Sequence, residues 1–486
     1  MKVPTPLTTA FGPEFESQIA EFATREKLLP SVEELKSVRF LSRSVIPHVR
    51  KLSETFNRIA PEPAVVEQRH VPERGRAGKL RAKPFVSKAV TEEKHRAGLD
   101  PYWKESSNPE NLRLAYFLYF MPSNLYRVAS VWAELARLGY RWPHKLMRAI
   151  EFGAGPASGA CGIAAGEKHA PVGLPKVGNW ALIERDRAML DLGSRWAENY
   201  FESQGQEWTT RNFHRTLDLA QPLLPPGAPT FHLWVMSYFL NESPLPASEL
   251  ARNLIQGWEK HLEEDGIAII IEPALRLQSR RLLELRRELL AQREKSAPWL
   301  QILLPCLGHQ ACGALAAGDD WCHEEVSWWR PPYFRVIDDL AHLDRKTLPF
   351  SYLVVTRSKK TREEILPALA LSPEDRRYRL VSPAHGEGKE LEFFLCGQDG
   401  KRRTRYRPNR VKRPEGGYKV EQLGRGDILT NVEVRGDQNA SRVERMLGKN
   451  LIEPFEDSEF EPESESESSE SESDSDSESE SNDDES

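Results

Sequence analysis

The sequence predicts an α/β protein built on a doubly wound, mainly parallel sheet, and three observations lead to that class. Strand-like and helix-like patterns alternate along the middle of the chain, as βα units do. A Gly-rich turn, EFGAGPASGA at 151–160, follows an apolar run where the first strand of such a sheet would end. The next apolar run, WALIERD at 180–186, closes on acidic residues. Ligands of open α/β sheets sit at the carboxyl ends of the strands, so the turn and the acid belong to one prospective site.

The elements follow in order. Residues 13–60 carry a helical apolar repeat, and 61–88 lose it and turn basic. From 110 a helix with apolar and aromatic residues leads into the glycine turn. After the strand at 180–186 come a helix, AMLDLGSRWAENYF, and a buried strand with a polar end, TFHLWVMSYFLNES at 230–243. ELARNLIQGWEKHLEED reads as a helix, GIAIIIEPA (266–274) as a strand, SRRLLELRRELLAQREK as a charged helix, and FSYLVVTR (350–357) as a further strand. Beyond 375 three short extended runs, broken by HGEG and QDG, predict a small antiparallel meander. The expected organisation is a helical region with a basic linker (1–105), an α/β domain (106–360) carrying a Cys-rich insertion at about 300–346, a basic β unit (361–450) and an acidic Ser-rich tail (451–486).

Composition narrows the classes of function. The apolar content of 39% and apolar runs as short as IAIII (267–271) predict no membrane span, which needs about 20 residues. The first residues, with Glu14 and Glu16, match neither a secretory nor a transit leader, so a cytoplasmic protein is expected; a monomer is expected as well. The net charge of -6 hides a division: 17 of the 73 acidic residues lie in 452–486, which has no Lys or Arg, leaving 67 basic against 56 acidic residues elsewhere, or +11. A basic body suits a polyanionic partner, and so low an apolar content leaves the tail unable to offset the entropy of ordering.

Gly153 and Gly155 permit a tight turn and close approach of a ligand, with helix N–H groups behind them. Glu184 stands where a carboxylate can accept the hydroxyls of a ribose, while Asp186 is the better helix cap. The turn is shorter than the full G-x-G-x-x-G, Glu151 at the first strand's end can hold an amino group, and MSYFLNES, with Tyr238 and Asn241, resembles the fourth-strand edge of class I methyltransferases. These features favour S-adenosylmethionine over a dinucleotide.

The stretch PCLGHQACGALAAGDDWCHEEVSWW (305–329) holds Cys306, Cys312 and Cys322, and Cys396 lies in the predicted meander. Zinc would take four ligands from these cysteines, His309 and His323; an iron-sulfur cluster would take the four thiolates. Spacing alone leaves both open, together with unrelated buried cysteines. Cys161, on the helix after the turn, is expected to pack as a small apolar residue.

Taken in order, AYFLYFMPSNLYRVASVWAEL, EFGAGPASGA, YFLNE, IIIEPA, PC-x5-C, WCH, FSYLVV and LCGQDGKRR resemble one family from about 110 to 410. It is the methyltransferase-like family of small-ribosomal-subunit assembly factors, with methyltransferase-like protein seventeen in mitochondria and many bacterial relatives. The resemblance implies a class I methyltransferase fold, S-adenosylmethionine binding, a 4Fe-4S cluster on Cys306, Cys312, Cys322 and Cys396, and association with rRNA of the assembling small subunit. Glu151 stands where the family usually has Asp, and Ala157 where it usually has Gly.

No convincing catalytic group emerges. RPPY (330–333) imitates part of the exocyclic-amine motif, but it begins with Arg and follows the fifth strand rather than the fourth. The run KRRTRYRPNRVKR (401–413), with Lys401, Arg402, Arg403, Arg405, Tyr406 and Arg407, pairs cations for phosphates with an aromatic ring for an unpaired base. The sequence therefore points to an rRNA-binding assembly factor with little or no turnover. The alternatives are an active rRNA base methyltransferase and a small-molecule methyltransferase.

Overall fold

The computed structural model describes residues 11–58, 108–317, 320–370, 377–383, 393–397, 404–406, 424–430, 433–435, 439–442 and 445–447. The basic linker, Lys401–Arg403, Arg407 and the acidic tail lie outside the described residues.

The helices that matter here are α1 (Pro13–Arg25), α2 (Ile46–Arg58), α3 (Pro109–Ala115) and α4 (Met121–Arg137). The main sheet and its crossovers follow: β1 (Arg148–Phe152), α5 (Ser158–His169), β2 (Val177–Glu184), α6 (Arg187–Ser203) and β3 (Glu207–His214). Then come β4 (Phe231–Ser237), α7 (Ala247–His261), β5 (Leu262–Pro273), α8 (Arg276–Lys295) and β6 (Leu300–Leu304). β7 (Glu324–Ser327), α9 (Pro332–Ala341) and β8 (Thr347–Arg357) complete it.

The strands lie in the order β3-β2-β1-β4-β5-β8-β6, with β7 paired to the start of β8. β1 to β5 run parallel, whereas β8 is antiparallel to both β5 and β6. This order, with one reversed strand between the fifth and sixth, is the class I methyltransferase arrangement that the sequence led us to expect. The direction of winding switches between β1 and β4, which opens a crevice at their carboxyl ends.

Strand alternation divides two cores. Leu233, Val235, Ile267, Ile269 and Ile271 face the side covered by α4, α5 and α6; Trp234, Met236, Ala268 and Ile270 face α7 and α8. The N-terminal helices join the first core rather than making their own. Phe15 and Phe22 pack edge-on against Trp196 of α6, with ring centroids 6.4 and 5.1 Å away.

Three strands escape the sequence pattern: β3, β6 and β7. β3 is a mostly exposed edge with few apolar residues, β6 is five residues long, and β7 is only four. Beyond the main sheet, β9 (Arg377–Leu380), β10 (Phe393–Gly397) and β11 (Thr404–Tyr406) form the predicted meander. Two strands not foreseen, at 428–430 and 445–447, extend it to a five-stranded antiparallel sheet.

Candidate functional site

A cavity of about 660 Å³ opens at the carboxyl ends of β1, β2, β4 and β5. That is within the range of small-molecule sites. Gly153 and Gly155, at φ +64° and +51°, form its turn. Between α3 and α4 the residues Tyr116–Phe120 wind as a π-helix, which turns Tyr116 and Phe120 into the cavity. Such π-bulges recur at functional sites.

Glu184 stands at the tip of β2 and lines the cavity. Its Oε2 accepts the Gly155 N–H at 3.0 Å, and its Oε1 accepts those of Arg185 and Asp186 at 2.8 and 3.0 Å. A carboxylate offers about four acceptor directions. Three are taken, so the residue has room for one ribose hydroxyl directly, fewer than the pair expected from sequence. Asp186 caps α6 through Met189 N–H at 2.7 Å, as expected. Tyr238 and Asn241 also line the cavity, Tyr238 with φ +59°.

Glu151 behaves differently from the amino-group holder inferred above. It is 1% exposed and does not line the cavity; its two oxygens accept the Gly159 and Ala160 N–H groups at 2.8 and 2.9 Å. It fastens the strand to the first turn of α5, where the helix dipole favours negative charge. Burial nevertheless pushes its carboxyl up to about 8. Glu272 repeats the arrangement at the end of β5, accepting Leu240 and Asn241 N–H at 2.8 and 3.1 Å, and burial raises it to about 8 as well. Ala157 is wholly buried in the first core and does not line the cavity, so its methyl stays clear of the space for a ligand.

A second, smaller cavity is lined by all four of Cys306, Cys312, Cys322 and Cys396. Cys396 arrives from β10 because that strand pairs with β9, Cys396 opposite Arg379. The thiol of Cys312 is pushed up by burial and by Cys306 beside it. Among the described residues no three His, Cys, Asp or Glu side chains converge as a single ion's ligands do. His309 turns away, its Nε2 3.3 Å from the Ile302 carbonyl. Cys161 is fully buried in the first core.

Arginines from three separate segments hold the loop that carries these thiols. Arg280 donates to the carbonyl of Asp320 at 2.6 Å, Arg286 to that of Gly308 at 2.6 Å, Arg362 to that of Cys306 at 3.3 Å and Arg425 to that of His323 at 3.1 Å. Sequence reasoning missed them; the available signal was Arg286, a charge on the face of α8 that also carries Leu282 and Leu289. The two cavities share a wall. Trp321, His323 and Glu325 line the large one, Cys322 and Glu324 the small one, and His323 borders both.

Tyr333 of RPPY is 1% exposed and donates its hydroxyl to the Leu118 carbonyl at 3.0 Å, so that motif is structural. Of the basic run, Arg405 and Tyr406 fall on β11, paired with Phe394 and Phe393 of the strand that bears Cys396.

The family described as mitochondrial small ribosomal subunit Rsm22 matches residues 111–421. No curated protein sequence matches the chain. Among solved structures, the plantazolicin methyltransferase BpumL in complex with SAH is similar at 9% identity, TM-score 0.29, covering 55% of this chain and 99% of its own. The O-methyltransferase TomG from Streptomyces achromogenes aligns at 11% identity, TM-score 0.26, over 47% and 79%. A precorrin-6y C5,15-methyltransferase from Geobacter metallireducens aligns at 12%, TM-score 0.26, over 48% and 88%.

Proposed function

Because the chain belongs to the mitochondrial small ribosomal subunit Rsm22 family, we propose that it is an assembly factor of the small ribosomal subunit that binds rRNA, holds S-adenosylmethionine in the large cavity and carries a 4Fe-4S cluster on Cys306, Cys312, Cys322 and Cys396. The observation that carries the reading is the meeting of those four cysteines, from two segments far apart in sequence, at one cavity.

The donor sets suit both groups. S-adenosylmethionine, when bound, supplies a sulfonium methyl; Glu184 would take a ribose hydroxyl, and Gly153 and Gly155 leave space beside the turn. Around zinc, four thiolates at about 2.3 Å would lie within about 4 Å of one another. A cubane gives each thiolate its own iron and holds the sulfurs further apart. The four thiols that line the small cavity could hold either group, and the metal content of the purified protein distinguishes them.

β11 lies beside the cysteine-bearing β10 and carries Arg405 and Tyr406, so the cluster would brace a strand within the basic run. The end of β4 offers Tyr238, Asn241 and Glu242 in place of the Asn- or Asp-Pro-Pro-Tyr of exocyclic-amine methyltransferases. No helix among the described residues is long and apolar enough to cross a membrane. We propose that the protein acts in the cytoplasm; a fluorescent fusion found in mitochondria would overturn that placement.

Anaerobic purification should give a brown protein with four irons per chain, and a colourless protein with stoichiometric zinc would refute the cluster. Crosslinking in cells should recover small-subunit rRNA; its absence would remove the assembly role. Loss of a methylated base from rRNA of a deletion strain would establish the enzyme instead.

A further inference from the structure

Among the described residues Arg127 is a buried cation without a counter-ion. It lies on α4, 4% exposed, and lines the large cavity. Its Nη1 donates to two neutral acceptors, Asn124 Oδ1 at 2.8 Å and Ser123 Oγ at 3.2 Å. Its Nε is buried and meets no acceptor among the described residues. The guanidinium carbon stands 5.6 Å from the centre of the Tyr238 ring. Burial above all, with the second cation Arg345 nearby, draws its pKa down to about 10, and no carboxylate figures among the neighbours that act on it most.

An uncompensated buried ion costs several kcal/mol, and buried donors almost always find a partner. Tertiary packing alone gives no reason to keep the charge here. A ligand anion entering the cavity that Arg127 lines would supply the missing charge. The place of Arg127 says which part of a ligand would reach it. Tyr116 and Tyr238, its neighbours in the electrostatics, also line the cavity, and Tyr116 lies against Gly155 of the turn. Glu184, at the tip of β2, marks the ribose end.

We propose that Arg127 is the carboxylate anchor of the cavity: its guanidinium donates to the α-carboxylate of S-adenosylmethionine, the one anionic group that ligand has, while Asn124 and Ser123 hold the guanidinium in place. The proposal rests on the reading of the cavity as an S-adenosylmethionine site. It makes Arg127 a residue of affinity and orientation, independent of whether a methyl group is transferred.

The test is equilibrium binding to the full chain, purified anaerobically, of S-adenosylmethionine and of decarboxylated S-adenosylmethionine, which lacks only that carboxylate. The wild type should bind the complete ligand about 10- to 100-fold more tightly, the worth of a charge-assisted hydrogen bond. Arg127→Gln should remove that preference and leave the decarboxylated ligand's affinity within about twofold. Equal weakening of both ligands would make Arg127 merely structural, and no change in either would leave it outside the site; each outcome overturns the proposal. If Arg127→Gln does not fold, the wild type alone still decides, because equal affinity for the two ligands refutes a carboxylate anchor. Failure of the wild type to bind either ligand would instead sink the S-adenosylmethionine reading, before any variant is made.

Discussion

Glu134 on α4 and Arg379 on β9, 245 positions apart in the chain, meet in a buried ion pair at 2.5 Å. The other oxygen of Glu134 accepts the hydroxyl of Tyr352 on β8, also at 2.5 Å. One carboxylate thus binds the N-terminal core, the main sheet and the small sheet together. Burial alone would lower the Arg379 guanidinium, but Glu134, Tyr352 and Glu324 outweigh it and raise its pKa.

Removing one member of such a pair strands the other charge. Arg379→Met should therefore cost about 3–5 kcal/mol in urea unfolding, and Glu134→Gln in the same background should return part of that loss. Additive losses in the double variant would mean that the two residues act separately.

Glu272 sets a pH dependence with a definite sign. Its folded pKa, about 8, lies above the unfolded value near 4.5. The stability it contributes is fully present below pH 4.5 and is lost as pH rises through 8. Glu272→Gln should flatten that decline by on the order of 2 kcal/mol between pH 5 and 8.5, read as the urea midpoint against pH. His232 acts oppositely, since burial and then His144 depress it to about 4; its stability is present above about 6.5 and lost as pH falls toward 4. His232→Phe should weaken the acid-side loss.

Gly159 is fixed by contact rather than by backbone angle. A Cβ there would stand 2.6 Å from both Glu151 Oε1 and Val235 Cγ1. Gly159→Ala should destabilise by about 1–3 kcal/mol through overpacking. The Glu151→Ala, Gly159→Ala double variant should recover stability only if the carboxylate is the main obstacle.

The cysteine set is open to direct count. On the cluster proposal, Cys306→Ser, Cys312→Ser, Cys322→Ser and Cys396→Ser should each abolish or sharply reduce bound iron, whereas His309→Ala should leave it unchanged. Retention of iron in Cys396→Ser would detach the small sheet from the proposed cluster.

Much of this architecture was legible because burial writes itself into apolar runs: β1, β2, β4 and β5 stood out, and the glycine turn and Glu184 are local signals. β3 was not, because an exposed edge has no apolar alternation to show. Glu151 was misplaced because a carboxylate at a strand end can face either a ligand or the following helix, and only the backbone path decides. Arg127 was invisible for a related reason: it sits on an otherwise apolar helix well before the turn, and nothing local says that its Nε lacks a partner. The gathering of Cys396 with the other thiols depends on the β9–β10 register, a long-range pairing.

β8 pairs with β5, β6 and β7 at once, yet follows all of them in the chain. During translation, Leu300–Leu304 therefore emerges as a strand of five buried residues whose partner ends at Arg357, some 53 positions later. At usual elongation rates that is an interval of roughly 3–10 seconds. For that time the nascent chain exposes an unmated apolar edge, and the cysteine loop is synthesised inside the same interval, so this stretch of the chain stands to gain from a chaperone's cover.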